Sequence, residues 1–298
     1  MQLTGLHLLL TYKCNFECDH CFLWGSPWQS GTMTLAQIKD ILRQAREHNS
    51  IKSIYFEGGE PFLYYPILLK GIQLAKELGF ETGIVSNGYW ATTQKDALEW
   101  LRPFVGILDS ISVSSDLYHY DEELSRQAQN AQEAAQELGI SLGFISIAQP
   151  EDGSAESGVG QLPEGMSGIK YQGRAAAKLA ECAKGHPWQS FTKCPYEDLR
   201  EPGRVHIDPF GHMHICQGIS IGNLFETSIN EICATYNPDA HPITGVLLKS
   251  GPAELAAQYQ LSPQQNYADA CHLCDWARRE LRPQFNQILA PDQIYGEF

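Results

Sequence analysis

The run Leu6-His7-Leu8-Leu9-Leu10-Thr11 leads into Tyr12-Lys13-Cys14-Asn15-Phe16-Glu17-Cys18-Asp19-His20-Cys21-Phe22. The first half is an apolar stretch of strand length, and the second sets three thiols on one short loop. Three thiolates can hold three corners of an iron–sulfur cube and leave the fourth iron without a protein ligand. An open coordination position on a metal usually takes something other than protein. Zinc is the competing reading, with His20 as fourth ligand, but His20 directly precedes Cys21 and adjacent residues rarely reach one ion.

Outward from this loop the first half of the chain alternates strands with helices. Ser53–Phe56, Thr82–Val85, Ser110–Ser114 and Ser141–Ile147 read as further strands. Thr34–His48, Pro66–Leu78, residues 95–102 and Asp121–Leu138 read as helices, the first with Thr34 as N-cap. The rhythm predicts an α/β fold on a parallel sheet, open or closed into a barrel. Chemistry then gathers at the C-terminal strand ends. The cysteine loop, Glu57-Gly58-Gly59-Glu60-Pro61, Ser86-Asn87-Gly88 and Ser114–Asp116 all fall there.

Residues 149–167, rich in Gly, Ser, Glu and Pro, predict a loop. A sixth strand at Gly168–Tyr171 and a helix from Arg174 to about Ala183 follow. The character then changes. Gly203–Asp208 and His212–Cys216 flank Pro209-Phe210-Gly211 as a hairpin, and Thr227–Thr235 and Tyr267–Leu281 read as helices. These features divide the chain into residues 1–185 and 186–298.

The 298 residues are 43% hydrophobic, enough for a sizeable core. A formal net charge of −14 with no basic run argues against a partner such as duplex nucleic acid or an anionic membrane surface. The N-terminal run lacks the features of a secretory signal, and no stretch approaches the roughly 18–20 apolar residues of a membrane span. A cytoplasmic chain is the expectation. Its nine cysteines are an odd number, and seven fall into two spaced sets, which suggests metal or redox chemistry rather than a disulfide framework.

Alone, Glu57–Pro61 is a strand-to-loop turn whose glycines relieve backbone strain. Together with the Cys-x3-Cys-x2-Cys loop after the first strand, it resembles the radical S-adenosylmethionine superfamily over roughly the first 180 residues. The resemblance implies a partial (β/α)6 TIM-like barrel with a small C-terminal α+β module. It implies a [4Fe–4S] cluster on Cys14, Cys18 and Cys21, with S-adenosylmethionine on the open iron. Backbone groups at Gly58 and Gly59 and the carboxylate of Glu60, with Pro61 in the same segment, would hold the methionine amino group. His20 and Phe22 would line the adenine pocket, and Ser86, Asn87, Ser114 and Asp116 match strand-end positions near the cofactor or substrate. The implied reaction is reductive cleavage of S-adenosylmethionine to a 5′-deoxyadenosyl radical that abstracts a hydrogen atom. An electron donor such as flavodoxin or ferredoxin is the implied partner.

Cys194, Cys216, Cys271 and Cys274 form the second set, which by sequence alone could hold zinc or an iron–sulfur cluster. Gly211-His212-Met213-His214-Ile215-Cys216 and Cys271-His272-Leu273-Cys274 resemble a twitch module, a shortened relative of the SPASM domain, which implies one auxiliary [4Fe–4S] cluster fully ligated by protein. The further cysteines of a full SPASM domain are absent. Cys182 and Cys233 remain; Cys182 lies near the expected barrel end and is a candidate hydrogen-atom donor. Relatives with such modules often act on peptides or protein side chains. A small-molecule oxidoreductase or mutase, and a non-catalytic iron–sulfur or zinc protein, are the other readings.

Overall fold

The first strand forms because Leu3–Thr11 is buried along almost its whole length, as a strand covered on both faces must be. The computed structural model describes residues 1–122, 124–150 and 165–297. In chain order the first half comprises β1 (Leu3–Thr11), α1 (Leu35–His48), β2 (Ser53–Gly58), α2 (Tyr65–Glu77), β3 (Glu81–Ser86), α3 (Gln94–Leu101), β4 (Ser110–Ser114), α4 (Arg126–Leu138), β5 (Ser141–Ile147) and β6 (Gly165–Ser167). Then come α5 (Arg174–Lys178), β7 (His186–Pro187), β8 (Gly203–Ile207), β9 (His212–Cys216), β10 (Ile219–Asn223), α6 (Ile229–Thr235), α7 (Thr244–Gln258), β11 (Asn266–Tyr267) and α8 (Ala270–Leu281).

Strands β1 to β6 lie side by side in chain order, all parallel, with the register set by pairs such as Leu8↔Phe56 and Ile84↔Ile111. On the other edge of β1, β8 continues the sheet in parallel, and β9 and β10 add to it antiparallel. The arrangement is that of a partial barrel extended by a hairpin. Local signals set the helix starts. Thr34 and Gln37 form the capping box of α1, and Thr93 and Ser125 cap α3 and α4. One core packs the barrel strands against α1 to α4; a second lies under α7 and α8, around Leu281 and Tyr295.

Three expectations shift. The sixth strand falls at Gly165–Ser167 rather than Gly168–Tyr171, where the Tyr171 N–H instead donates to Asp269. Most of the expected 149–167 loop lies outside the described residues. The helix after Arg174 is short, ending at Lys178 before a separate 3₁₀ turn. The last helix starts at Ala270, where the Asp269 side chain caps it, rather than at Tyr267. Helix α7 has no counterpart in the sequence reading, because Ser250-Gly251-Pro252 breaks its period with a kink.

Candidate functional site

The cysteine loop is folded by its own backbone: Cys14 N–H donates to Ser26 O, Cys21 N–H to Cys18 O, and Trp24 N–H to Cys21 O. Its anchor is Arg174, which is 2% exposed. The guanidinium donates to Cys18 O and to Gly25 O, both at 2.8 Å, while the Arg174 N–H donates to Cys21 O at 2.9 Å. No local signal marks this residue, because its partners lie about 150 positions away.

N–H donors point at the sulfurs. Phe16 N–H lies 3.4 Å from Cys14 Sγ, Gly25 N–H lies 3.2 Å from Cys21 Sγ, and Asn87 Nδ2 lies 3.6 Å from Cys14 Sγ. Burial pushes the Cys14 thiol up to about 12, and Cys18 upward too, so deprotonation calls for a bound metal. The donor set fits a cluster held by thiolates.

Gly58 and Gly59 lay the end of β2 against this loop. A Cβ on Gly59 would stand 2.0 Å from Lys13 O, and one on Gly58 2.4 Å from Thr11 O. The close approach lets Gly59 N–H donate to Thr11 O and Glu60 N–H to Lys13 O. A cavity of about 140 Å³ opens beside them, lined by the three cysteines, His20, Phe22, Gly58, Gly59, Ser86, Asn87 and Ser114. Burial lowers His20 to about 3, which keeps its ring neutral, as stacking on a base would require.

Three expected residues stand back from that cavity. Glu60 is fully buried, and its carboxylate accepts from Phe62 N–H, the Ser86 hydroxyl and Asn87 N–H, tying the ends of β2 and β3 together. Burial raises it to about 7 despite these donors. Its oxygens are engaged by the protein in this arrangement. Pro61 begins the 3₁₀ turn behind it. Asp116 accepts from Tyr118 N–H, His119 Nδ1 and Ile147 N–H, and so orients His119 rather than a ligand. Burial alone would raise the Asp116 carboxyl, but the His119 ring holds it below its usual range.

Cys194, Cys216, Cys271 and Cys274 converge on a second, tighter cavity. Burial pushes Cys274 up to about 11, and raises Cys216 and Cys271 as well. Arg278, 2% exposed, supplies the compensating cation and donates to Gln217 O at 2.6 Å and Cys274 O at 3.3 Å. The close-set ligand groups among the described residues, with donor atoms within 4.8 Å of one another, are His7–Glu57–His206 and His20–Asp116–His119; neither includes a cysteine. Four thiolates at the second cavity are chemically suited to zinc or to an iron–sulfur cluster.

A third cavity, of about 120 Å³, joins the two. It shares His20 and Phe22 with the first, and Lys170, Gln172 and Glu197 with the second. Gln217 also lines it, 8% exposed, with neither side-chain amide atom hydrogen-bonded.

Cys182 is exposed at the end of the 3₁₀ turn after α5 and lines none of these cavities, which removes its basis as a hydrogen-atom donor. Cys182→Ala is accordingly expected to leave product yield within about twofold of wild type, in line with other surface substitutions. Loss of product with continued S-adenosylmethionine cleavage would restore the donor role. Cys233 is buried in the barrel core. His214 pairs with Asp208 away from the cysteines, and His272 sits against Tyr267. No described helix is long and apolar enough to cross a membrane.

Comparison with known proteins places this geometry. YydG of Bacillus subtilis (strain 168), whose name ties it provisionally to peptide biosynthesis, is 26% identical over 54% of this chain and 51% of its own length. An S-adenosylmethionine-dependent nucleotide dehydratase of a Thermoplasmatales archaeon (strain ISO4-H5) is 33% identical over 38% of this chain and 37% of its own. The matches thus span about half or less of the length of these curated relatives. Among solved structures, Streptococcus suis SuiB bound to precursor peptide SuiA superposes with a TM-score of 0.52 at 14% identity, covering 91% of this chain and 76% of that one. BtrN in complex with AdoMet and 2-DOIA gives 0.50 at 14% identity, covering 78% and 82%. These two show a shared fold. The sequence model of the Radical SAM superfamily matches residues 8–137, which carry the cysteine loop, the glycine pair and the strand ends around the first cavity, and those residues form a domain of that superfamily.

Proposed function

We propose that the chain is a radical S-adenosylmethionine enzyme that acts on a peptide or protein side chain. Cys14, Cys18 and Cys21 would hold the [4Fe–4S] cluster that binds S-adenosylmethionine, and residues 186–298 would form a module whose Cys194, Cys216, Cys271 and Cys274 hold an auxiliary cluster. Once bound, the first cluster and S-adenosylmethionine supply a 5′-deoxyadenosyl radical able to take hydrogen from an unactivated C–H bond. The chain's own residues orient and enclose. Gly58 and Gly59 allow close backbone approach to the methionine end, neutral His20 and Phe22 offer flat surface to the base, and the cavity between the cysteine sets takes the substrate.

The observation that carries the peptide reading is Gln217. Its buried amide offers a donor and an acceptor side by side with neither used, and one residue of an extended peptide presents its own N–H and C=O as the complementary pair. The cavity wall balances Lys170 and Arg204 against Glu57 and Glu197, so it does not select a polyanion. The names of YydG and of the SuiB complex point the same way. A cytoplasmic setting and a flavodoxin or ferredoxin donor belong to the same proposal, since exposed clusters need a reducing compartment.

The test is anaerobic reconstitution followed by reduction with S-adenosylmethionine and a library of short peptides. Peptide-dependent 5′-deoxyadenosine, carrying deuterium from labelled peptide, is the expected result. Stimulation by nucleotides or sugars alone would move the function to the small-molecule side that the dehydratase relative represents. Gln217→Ala is expected to raise the KM for peptide about tenfold, the loss of roughly 1.4 kcal/mol from two hydrogen bonds, with iron content unaltered. An unchanged KM would remove Gln217 from the substrate site.

A further inference from the structure

We infer that His7, Glu57 and His206 form a site for a divalent transition-metal ion in the barrel wall, separate from both cysteine sets. Parallel register builds it. On β1, His7 faces His206 of β8 on one side and Tyr55 of β2 on the other, and Glu57 follows Tyr55 on the same face of β2. The three side chains are only 11%, 6% and 12% exposed in the order His7, Glu57, His206.

Their donor atoms converge. Glu57 Oε1 lies 2.8 Å from His206 Nε2 and 3.3 Å from His7 Nδ1, and all three atoms lie within 4.8 Å of one another. His7 Nδ1 and Glu57 Oε1 are buried, and the two imidazoles face the Glu57 carboxyl as ion-pair partners without a well-aligned hydrogen bond. Donor atoms so placed suit a shared ion. Bonds of about 2.0–2.2 Å to a common ion set neighbouring ligand atoms about 2.8–3.6 Å apart, from octahedral to tetrahedral geometry, and both measured spacings fall in that range. Two imidazoles with one carboxylate suit a borderline ion such as Zn²⁺ or Fe²⁺ and leave coordination positions free.

Those positions have somewhere to face. Glu57 and His206 line the cavity between the cysteine sets. Arg204, two residues before His206, lies within electrostatic reach of Glu197 on the same cavity wall, which offsets its charge near the ion. An ion there would present a Lewis-acidic position to an oxygen or nitrogen of whatever occupies the cavity. The site itself does not depend on the substrate being a peptide.

The probe is zinc ion alone. The full chain, with both clusters reconstituted, is mixed anaerobically with one equivalent of zinc sulfate and desalted, and zinc, iron and sulfide are counted. About one zinc per chain is expected with iron and sulfide unchanged. The zinc X-ray absorption edge should show nitrogen or oxygen at about 2.0–2.1 Å. Glu57→Gln, close in size, and His206→Gln should each weaken zinc retention at least tenfold while keeping their iron. Failure of wild type to retain zinc, equal retention by variants that keep their iron, or a sulfur shell at about 2.3 Å would each overturn the site. Since no readout uses S-adenosylmethionine turnover, the result stands apart from the proposed reaction.

Discussion

Arg174→Met is expected to reconstitute with about four irons per chain rather than about eight, the auxiliary cube surviving and the first one lost. The guanidinium is buried beneath the cysteine loop and satisfies the carbonyls of Cys18 and Gly25. Methionine fills similar volume but leaves Gly25 O without a donor, at about 1–3 kcal/mol, and removes the charged hydrogen bond to Cys18 O, which keeps Cys21 N–H, at about 1.5–3 kcal/mol. Removing a buried charge returns part of that, because the cation no longer has to be desolvated. A net loss of about 2–4 kcal/mol follows, corresponding to a drop in Tm of about 5–10 °C. The electrostatic consequence is independent of stability. Burial raises the Cys18 thiol, and Arg174 is the cation that opposes the rise. Without it the thiolates that must hold iron are harder to form. Iron and sulfide analysis with thermal unfolding checks both effects. A variant that retains about eight irons would show that the loop holds its shape without the anchor.

Gly59→Ala carries the other large effect. Its Cβ would meet Lys13 O at 2.0 Å and Lys13 C at 2.4 Å, both backbone atoms that no rotamer change can move aside. Either β2 withdraws from the cysteine loop, breaking the bonds from Gly59 N–H to Thr11 O and from Glu60 N–H to Lys13 O, or the loop itself is displaced. A destabilisation above about 4 kcal/mol is expected, with loss of the first cluster. Gly25→Ala is the control, since its Cβ would make ordinary van der Waals contacts, 3.4 Å to Cys14 Cβ and Gly59 Cα and 3.6 Å to Cys21 Sγ, and its N–H to Cys21 Sγ survives. A drop in iron for Gly59→Ala alone supports close backbone approach as the reason for the glycine. Equal behaviour of the two variants would sink it.

The barrel was legible because its signals are local. The apolar run before Cys14, the Thr34 cap and the glycine pair each act within a few residues, and all fall where their spacing predicts. The rim was legible too, since parallel strands bring their ends together whatever the helices between them do. What escaped depends on distant contacts. Arg174, in an Arg174-Ala175-Ala176-Ala177-Lys178 helix, reads as a surface residue until the cysteine loop is laid over it. His7, Glu57 and His206 belong to three strands, and only the register aligns them. Glu60 is the opposite case: its acceptor character was evident, but that Ser86 and Asn87, both named as site residues, donate to it depends on β2 and β3 lying side by side.

The parallel pairing of β8 with β1 has a consequence for how such a chain can be rearranged. Gly203–Ile207 covers the edge of β1 from Leu3 to Leu8. A protein cut after residue 185 would bare that edge, a row of open amides and carbonyls on an apolar strand, and would be prone to pair with its copies. Inheritance of the second half is therefore not optional decoration. Any recombination that exchanges the C-terminal half between relatives must deliver a strand that fits β1, so specificity can diversify in the cavity and the cysteine hairpins while that one seam stays fixed.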